Sequence, residues 1–149
     1  MDVKRFNKDL EILQREYNEH DKCGRTLQRR VFWKSNGDGS YIVFIEGVTL
    51  PENANIRKTN VKLHAPPNLY DPANRGRRYF YSNIWVDPRI KVRSPRRKGW
   101  GTLPRLYQAD SDGFAYLCVH PGTIGGNENV LHFIATLKVF IKNADPEVW

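Results

Sequence analysis

The sequence predicts a single α+β domain over residues 1–149: an N-terminal helix, about four antiparallel strands, a cysteine-bearing loop and a C-terminal helix. Three observations lead to this class. A helical apolar pattern lies near each end of the chain, strand-like alternation separated by turn signals fills the middle, and no repeat or low-complexity tract divides it. A chain of 149 residues is also long enough to bury a core of its own.

The first helix is predicted over about residues 3–19. Apolar side chains recur there at spacings of three and four residues, which places them on one face of a helix. They are Val3, Phe6, Leu10, Leu13 and Tyr17. Gly24 follows the pattern, and we expect Cys23 to pack near the end of this helix.

Strand patterns follow the helix. The run SNGDGS contains Asn-Gly and Asp-Gly, the strongest short hairpin signals, so residues 29–35 are predicted to pair with residues 41–48. Alternation of apolar and polar residues predicts a third strand at about 57–64, and the aromatic run RRYFYSNIWV (77–86) predicts a fourth. The proline-rich segment between the last two is predicted to be a loop.

The last third of the chain is predicted to contain a long excursion and a helix. Residues 87–113 are basic and rich in proline and glycine, which predicts a loop. The short apolar run GFAYLCV (113–119) carries Cys118. A second helical pattern begins near Asn127, and either Asn127 or Asn129 can serve as its N-cap.

Composition and charge narrow the classes of function. The net charge of +8 predicts an acidic partner without distinguishing nucleic acid, a membrane surface and an acidic protein. No apolar run approaches the roughly 18 residues of a membrane-spanning helix. The charged stretch MDVKRFNKDL lacks the apolar segment of a secretory signal, and two cysteines are too few for a disulfide framework. We therefore expect a cytoplasmic protein that does not act at a membrane.

The order of these elements, with particular residues at the joints, resembles the ubiquitin-conjugating enzyme fold. KRFNKDLEIL resembles the opening helix, SYIVFIEGV the second strand, and VKLHAPPNLYDP the third strand with its proline-rich turn. YFYSNIWVDPRI resembles the fourth strand and the His-Pro-Asn tripeptide after it, which is Asp87-Pro88-Arg89 here. YLCV resembles the segment that carries the thioester-forming cysteine of the family.

The chain also departs from that family. Arg89 stands where the family has its catalytic-site asparagine, and residues 91–112 form an insertion before Cys118. The tryptophan usual after the cysteine is absent. The dipeptide LC followed closely by HP is similar to divergent bacterial relatives, found beside cyclic-nucleotide antiphage synthases or in bacterial ubiquitin-like operons.

The resemblance implies an activity and partners. Cys118 is expected to form a thioester with the C-terminal glycine of a ubiquitin-like modifier or of an antiphage nucleotidyltransferase, and to transfer that glycine to an amine. An activating enzyme would charge the cysteine, and neither a metal nor a cofactor is expected.

The residue types alone leave the role of Cys118 open. A thiolate is both a nucleophile and a leaving group, so it can divide acyl transfer into two easier steps. Free cysteines are also among the most buried residue types, as inert apolar side chains. Asp110 and Asp112 are candidates to polarise the attacking amine, or are solvated turn residues. His120 shares a face with Cys118 if the strand continues.

Basic residues shortly before Cys118 are candidates to contact the activating enzyme, the modifier or the target. Positive charge near a thiol also favours its thiolate form. These residues are Arg89, Lys91, Arg93, Arg96, Arg97 and Lys98.

Two other kinds of site use the same cysteine. His20, Cys23, Cys118 and His120 have the ligand types of a Cys₂His₂ zinc site, although their spacing is not that of a zinc knuckle. Cys118 with His132 and an acid resembles a peptidase triad, but the cysteine lies too far from the predicted helix start to gain from it.

Two further functions do not need the thiol. An inactive relative of the conjugating enzymes would only hold a ubiquitin-like partner. A nucleic-acid-binding module would use basic side chains with aromatic rings between them as stacking platforms. Those residues are Arg75, Arg77, Arg78, Tyr79, Phe80, Tyr81, Arg93, Arg96, Arg97, Lys98 and Trp100.

Overall fold

The α+β class, with a helix near each end and an antiparallel sheet between them, is confirmed by the computed structural model, which describes residues 1–93, 99–119 and 121–146. Helix α1 spans Val3–Tyr17 and helix α2 spans Val130–Lys142. The six strands of the main sheet are β1 (Val31–Ser35), β2 (Tyr41–Thr49), β3 (Lys58–Ala65), β4 (Asn83–Val86), β5 (Leu106–Ala109) and β6 (Ala115–Leu117).

The strands lie in the order β5-β6-β4-β3-β2-β1, and each described pairing is antiparallel. The sheet is therefore larger than the four strands expected, because β5 and β6 extend it beyond β4. The predicted hairpin around SNGDGS is confirmed, with Val31 opposite Ile45 and Ser35 opposite Tyr41.

Two of the strand and loop predictions need correction. Only Asn83–Val86 of the run 77–86 joins the main sheet, because Arg78–Tyr79 pair with Thr123–Ile124 instead. The excursion 87–113 is not a loop throughout. Lys91–Arg93 and Trp100–Thr102 form a hairpin within it, and β5 follows that hairpin.

Both helices bury their apolar stripes against the same face of the sheet. Every second residue of the strands, such as Val43, Leu63 and Leu117, forms one core with Leu13 of α1 and Phe133 of α2. The residues between them point to the opposite side, which we call the outer face. Neither helix has the length and apolarity that crossing a bilayer requires.

Side-chain caps determine where the helices begin and end. Asn129 caps α2, accepting from the amide of Leu131, and the His132 ring completes a capping box with the Asn129 amide. Helix α1 ends at Tyr17, because Asn18 is extended and its buried side-chain oxygen accepts from the amides of residues 30 and 31. Beyond this point Cys23 is exposed, so the expectation that it packs was wrong.

A buried carboxylate joins both helices to the chain between β3 and β4. Asp9 is 3% exposed and accepts hydrogen bonds from the hydroxyls of Tyr70 and Tyr81 and from the amide of Val130. Burial raises the pKa of Asp9, and the hydrogen bonds oppose that rise only in part. The Arg5 guanidinium lies 3.9 Å from the Tyr70 ring centroid. Through the Asp9 carboxylate, the amide of Val130 at the start of α2 is bound to α1.

Gly101 lies where the chain after α2 crosses the excursion hairpin. A Cβ atom there would lie 2.5 Å from Cβ and 2.7 Å from Cγ of Pro146. We expect Gly101→Ala to lower the free energy of unfolding by about 1–3 kcal/mol, because one of the two segments must move. Urea unfolding measures this. Gly126→Ala is the matched control, since nothing lies within 4 Å of its added Cβ. Equal losses of unfolding free energy in both variants would contradict the close packing of Gly101 against Pro146.

Candidate functional site around Cys118

Cys118 directly follows β6 and extends its ladder by one residue. Its amide donates to the carbonyl of Arg105 at 3.0 Å, and its side chain is half-buried. Because strand residues alternate between faces, Cys118 shares the outer face with Tyr116. The thiol therefore lies at one end of a sheet strand, on its outer face.

Tyr116 and Asn83 are the polar side chains next to the thiol. The Tyr116 hydroxyl hydrogen-bonds with Cys118, and it also donates to Oδ1 of Asn83 at 3.5 Å. Burial raises the pKa of Tyr116, and the neighbouring Cys118 raises it further. Leu117 pairs with Ile84, so continuing the same register sets Cys118 opposite Asn83. The site thus offers a hydroxyl donor and a carboxamide beside a sulfur.

A groove of about 530 Å³ opens next to Asn83. It is lined by the segments 79–83 and 121–123 and by Pro66 and Asn68. Prolines, aromatic rings and short polar side chains form its lining, and it is open to solvent.

His64 lies opposite Asn83 on the neighbouring strand β3. Its Nδ1 lies 2.8 Å from the Ser82 hydroxyl oxygen. Burial lowers the pKa of His64, and the charge of Asp38 opposes that shift in part. A neutral imidazole is therefore the favoured form near neutral pH.

The two predicted acidic residues do not lie with Cys118. They belong to the turn between β5 and β6, at the other end of β6 from the thiol. The whole of β6, Ala115–Leu117, lies between Asp112 and Cys118. Asp112 instead pairs with Nζ of Lys62 at 2.6 Å, and that hydrogen bond lowers its pKa. Asp110 is exposed, and its amide donates to the carbonyl of Phe114.

The tripeptide Asp87-Pro88-Arg89 also lies at that far end. It lines a pocket with Asn60 and the segment 112–114, beyond the end of β4 that is remote from Asn83. Arg89 is exposed and pairs with Asp87, with Nη2 and Oδ2 2.6 Å apart. The tripeptide and the thiol are therefore separated by the length of the short strands β4 and β6.

The other predicted basic residues are only partly described. Lys91 and Arg93 are exposed on the excursion hairpin, where the Arg93 guanidinium lies 4.6 Å from the centroid of the Trp100 ring. Arg96, Arg97, Lys98 and His120 lie outside the residues that the structure describes. Within the described ranges, no group of three or more potential metal ligands occurs.

Sequence reasoning missed Tyr116, Asn83 and His64. Tyr116 precedes Cys118 by two residues in a strand-like run, so alternation alone was a sufficient signal for it. Asn83 and His64 come together with it only through the pairing of β3, β4 and β6.

Comparisons with protein-family models, curated proteins and solved structures found no match to this chain.

Proposed function

We propose that the chain is an acyl carrier of the ubiquitin-conjugating type, in which Cys118 accepts a C-terminal glycine as a thioester and passes it to an amine. The observation that carries this proposal is the contact of Cys118 with Tyr116 and, through it, with Asn83, which lines an open groove. The sequence resemblance supports the same assignment, as do two helices on one face of a sheet whose first four strands are neighbours in chain order.

In the charging step, the Cys118 thiolate attacks the carbonyl carbon of an activated C-terminal glycine, and the activating group leaves. In the transfer step, an amine attacks the thioester carbonyl, the C–S bond breaks and the amine proton passes to solvent. An amide forms and the thiolate is regenerated. The tail of the acyl donor would lie in the groove beside Asn83. The proposed partners are an activating enzyme and a ubiquitin-like protein, or a nucleotidyltransferase with a comparable C-terminus.

Two side chains have roles in this scheme. Oδ1 of Asn83 accepts from Tyr116, which leaves its amide nitrogen able to donate to the oxyanion of the tetrahedral intermediate. As the thiolate leaves, the single Tyr116 hydroxyl proton can turn from Oδ1 of Asn83 to the sulfur. Both side chains are held by the sheet, so this proton is the group that has to reorient during reaction.

The two cysteines of the chain allow a matched test. Cys118→Ala and Cys23→Ala are each incubated with a synthetic peptide thioester that ends in glycine, and intact mass is followed with and without hydroxylamine. Exposed Cys23 is expected to exchange as an ordinary thiol. Only the adduct on Cys118 is expected to pass its acyl group rapidly to added lysine.

The rate at which each cysteine adduct transfers its acyl group to lysine decides the proposal. We expect aminolysis from Cys118 to exceed that from Cys23 by about 100-fold, since Cys118 lies beside the Asn83 carboxamide whereas Cys23 is exposed to solvent. Equal rates from the two cysteines would contradict a catalytic site. So would a Cys118 adduct that is stable to lysine.

A further inference from the structure

The outer face of the sheet carries aromatic side chains that neither helix covers. Phe32 is 39% exposed and Tyr107 is 56% exposed, and the rings between them are half-buried against one another. The six residues are Phe32, Phe44, Trp85, Tyr107, Phe114 and Tyr116. Both helices belong to the core on the opposite face, so these rings remain at the surface.

The pairing register arranges most of these rings in one row across the sheet. Phe32 lies opposite Phe44, Phe44 opposite Lys62, and Lys62 opposite Trp85. Trp85 in turn lies opposite Tyr116, and the centroids of these two rings are 5.8 Å apart. Adjacent strands are about 4.8 Å apart, so the row is about 20 Å long.

Cationic side chains lie over the rings. The Lys62 ammonium is 4.8 Å from the Trp85 ring centroid, but Asp112 neutralises it. Lys34 lies 5.8 Å from the Phe44 centroid, and the Arg29 guanidinium lies 5.2 Å from that of Phe32. Neither Lys34 nor Arg29 forms an ion pair within the described residues.

We propose that the outer face binds single-stranded nucleic acid, with bases stacked on the aromatic row and phosphates held by Arg29 and Lys34. Ring faces accept any base, and unpaired cations beside them match the backbone charge. The net charge of +8 has the sign that this ligand requires. An acidic protein would complement the charge alone, whereas a single strand complements both the charge and the planar rings. This inference does not depend on the thioester proposal.

Fluorescence anisotropy with a labelled oligo(dT) of about 15 nucleotides tests the inference. We expect Phe32→Ala and Tyr107→Ala each to weaken binding about tenfold, through the loss of one stacking platform. Lys34→Gln is expected to lower the slope of log K against log salt by about one, since one phosphate contact is lost. These positions are exposed or at the sheet margin, and thermal melting confirms that each variant folds.

Two exposed aromatic residues outside the row serve as controls. Tyr79 is 40% exposed and Trp100 is 43% exposed, and each belongs to a separate two-stranded pair. Tyr79→Ala and Trp100→Ala are expected to bind as the wild type does. Cys118→Ala is expected to bind normally as well, which separates this inference from the proposed activity.

Three results would overturn the inference. The first is no binding at low salt. The second is a loss of affinity in Trp100→Ala but not in Phe32→Ala or Tyr107→Ala, which would place the site on the excursion hairpin. The third is displacement of the oligonucleotide by poly-glutamate as effectively as by unlabelled oligo(dT), which would indicate an acidic protein as the partner.

Discussion

Asp9→Ala is expected to lower the free energy of unfolding by about 4 kcal/mol, a large part of the stability of an ordinary domain. The hydroxyls of Tyr70 and Tyr81 and the amide of Val130 all donate to this carboxylate in a buried site. Removing the acceptor leaves three buried donors without a partner, and each such donor costs about 1–3 kcal/mol. Urea unfolding at neutral pH measures the loss.

The pH dependence of stability gives a second measurement on the same group. The pKa of Asp9 is raised above its ordinary value of 3.8 in the folded state. Between 3.8 and the folded pKa, the folded chain binds more protons than the unfolded chain, so stability falls as pH rises through that window. Asp9→Asn is nearly isosteric and does not titrate, so this part of the pH dependence should disappear in it.

Two results would contradict the role given to Asp9. If Asp9→Ala unfolds at the same urea concentration as the wild type, the carboxylate does not join the two helices. If Asp9→Asn keeps the full pH dependence of the wild type above about pH 4, another group is responsible for it.

Asn83→Ala is expected to slow acyl transfer from Cys118 to lysine about 100-fold while leaving the fold intact. A single donor to a developing oxyanion contributes about this factor in acyl transfer. The measurement is single-turnover discharge of a preformed Cys118 thioester into lysine. Because the thioester is formed beforehand, a defect in charging does not affect the measured transfer rate. The change removes only a short, half-buried side chain at a strand end, and we expect little loss of stability.

Asn68→Ala is the control for this prediction. Asn68 lines the same groove but is exposed and has no described contact with Tyr116. Its replacement should leave the discharge rate unchanged. Equal slowing in both variants would indicate a general effect on the groove. A discharge rate in Asn83→Ala equal to that of the wild type would show that Asn83 does not take part in the transfer.

The parts of the fold that were predictable are those determined by near neighbours in sequence. The spacing of Phe6, Leu10 and Leu13 indicates a helix face, and the Asn-Gly and Asp-Gly pairs indicate the hairpin between β1 and β2. The fourth strand was predicted too long. Phe80 and Tyr81 have strand propensity, yet they are buried against Phe133 of α2 rather than in the main sheet.

The candidate site was only partly predictable for a related reason. Cys118 was proposed from the order of elements, and alternation could have placed Tyr116 on the same face. Asn83 required the pairing of β4 with β6, which joins segments distant in sequence. The aspartates were proposed from their closeness to Cys118 in sequence, whereas the turn that holds them lies at the opposite end of β6 from the thiol.

The pairing of β6 with β4 also bears on the order in which the molecule assembles. Strands β1 to β4 pair with their neighbours in the chain, but β6 reaches β4 only after the whole segment 87–114 has folded back. Closing so long a segment loses conformational entropy before the contacts between β6 and β4 can form. This loss favours late formation of the β6–β4 pairing. A nascent or partly folded chain would then expose a thiol without Asn83 beside it, and the proposed acyl transfer would require the completed fold.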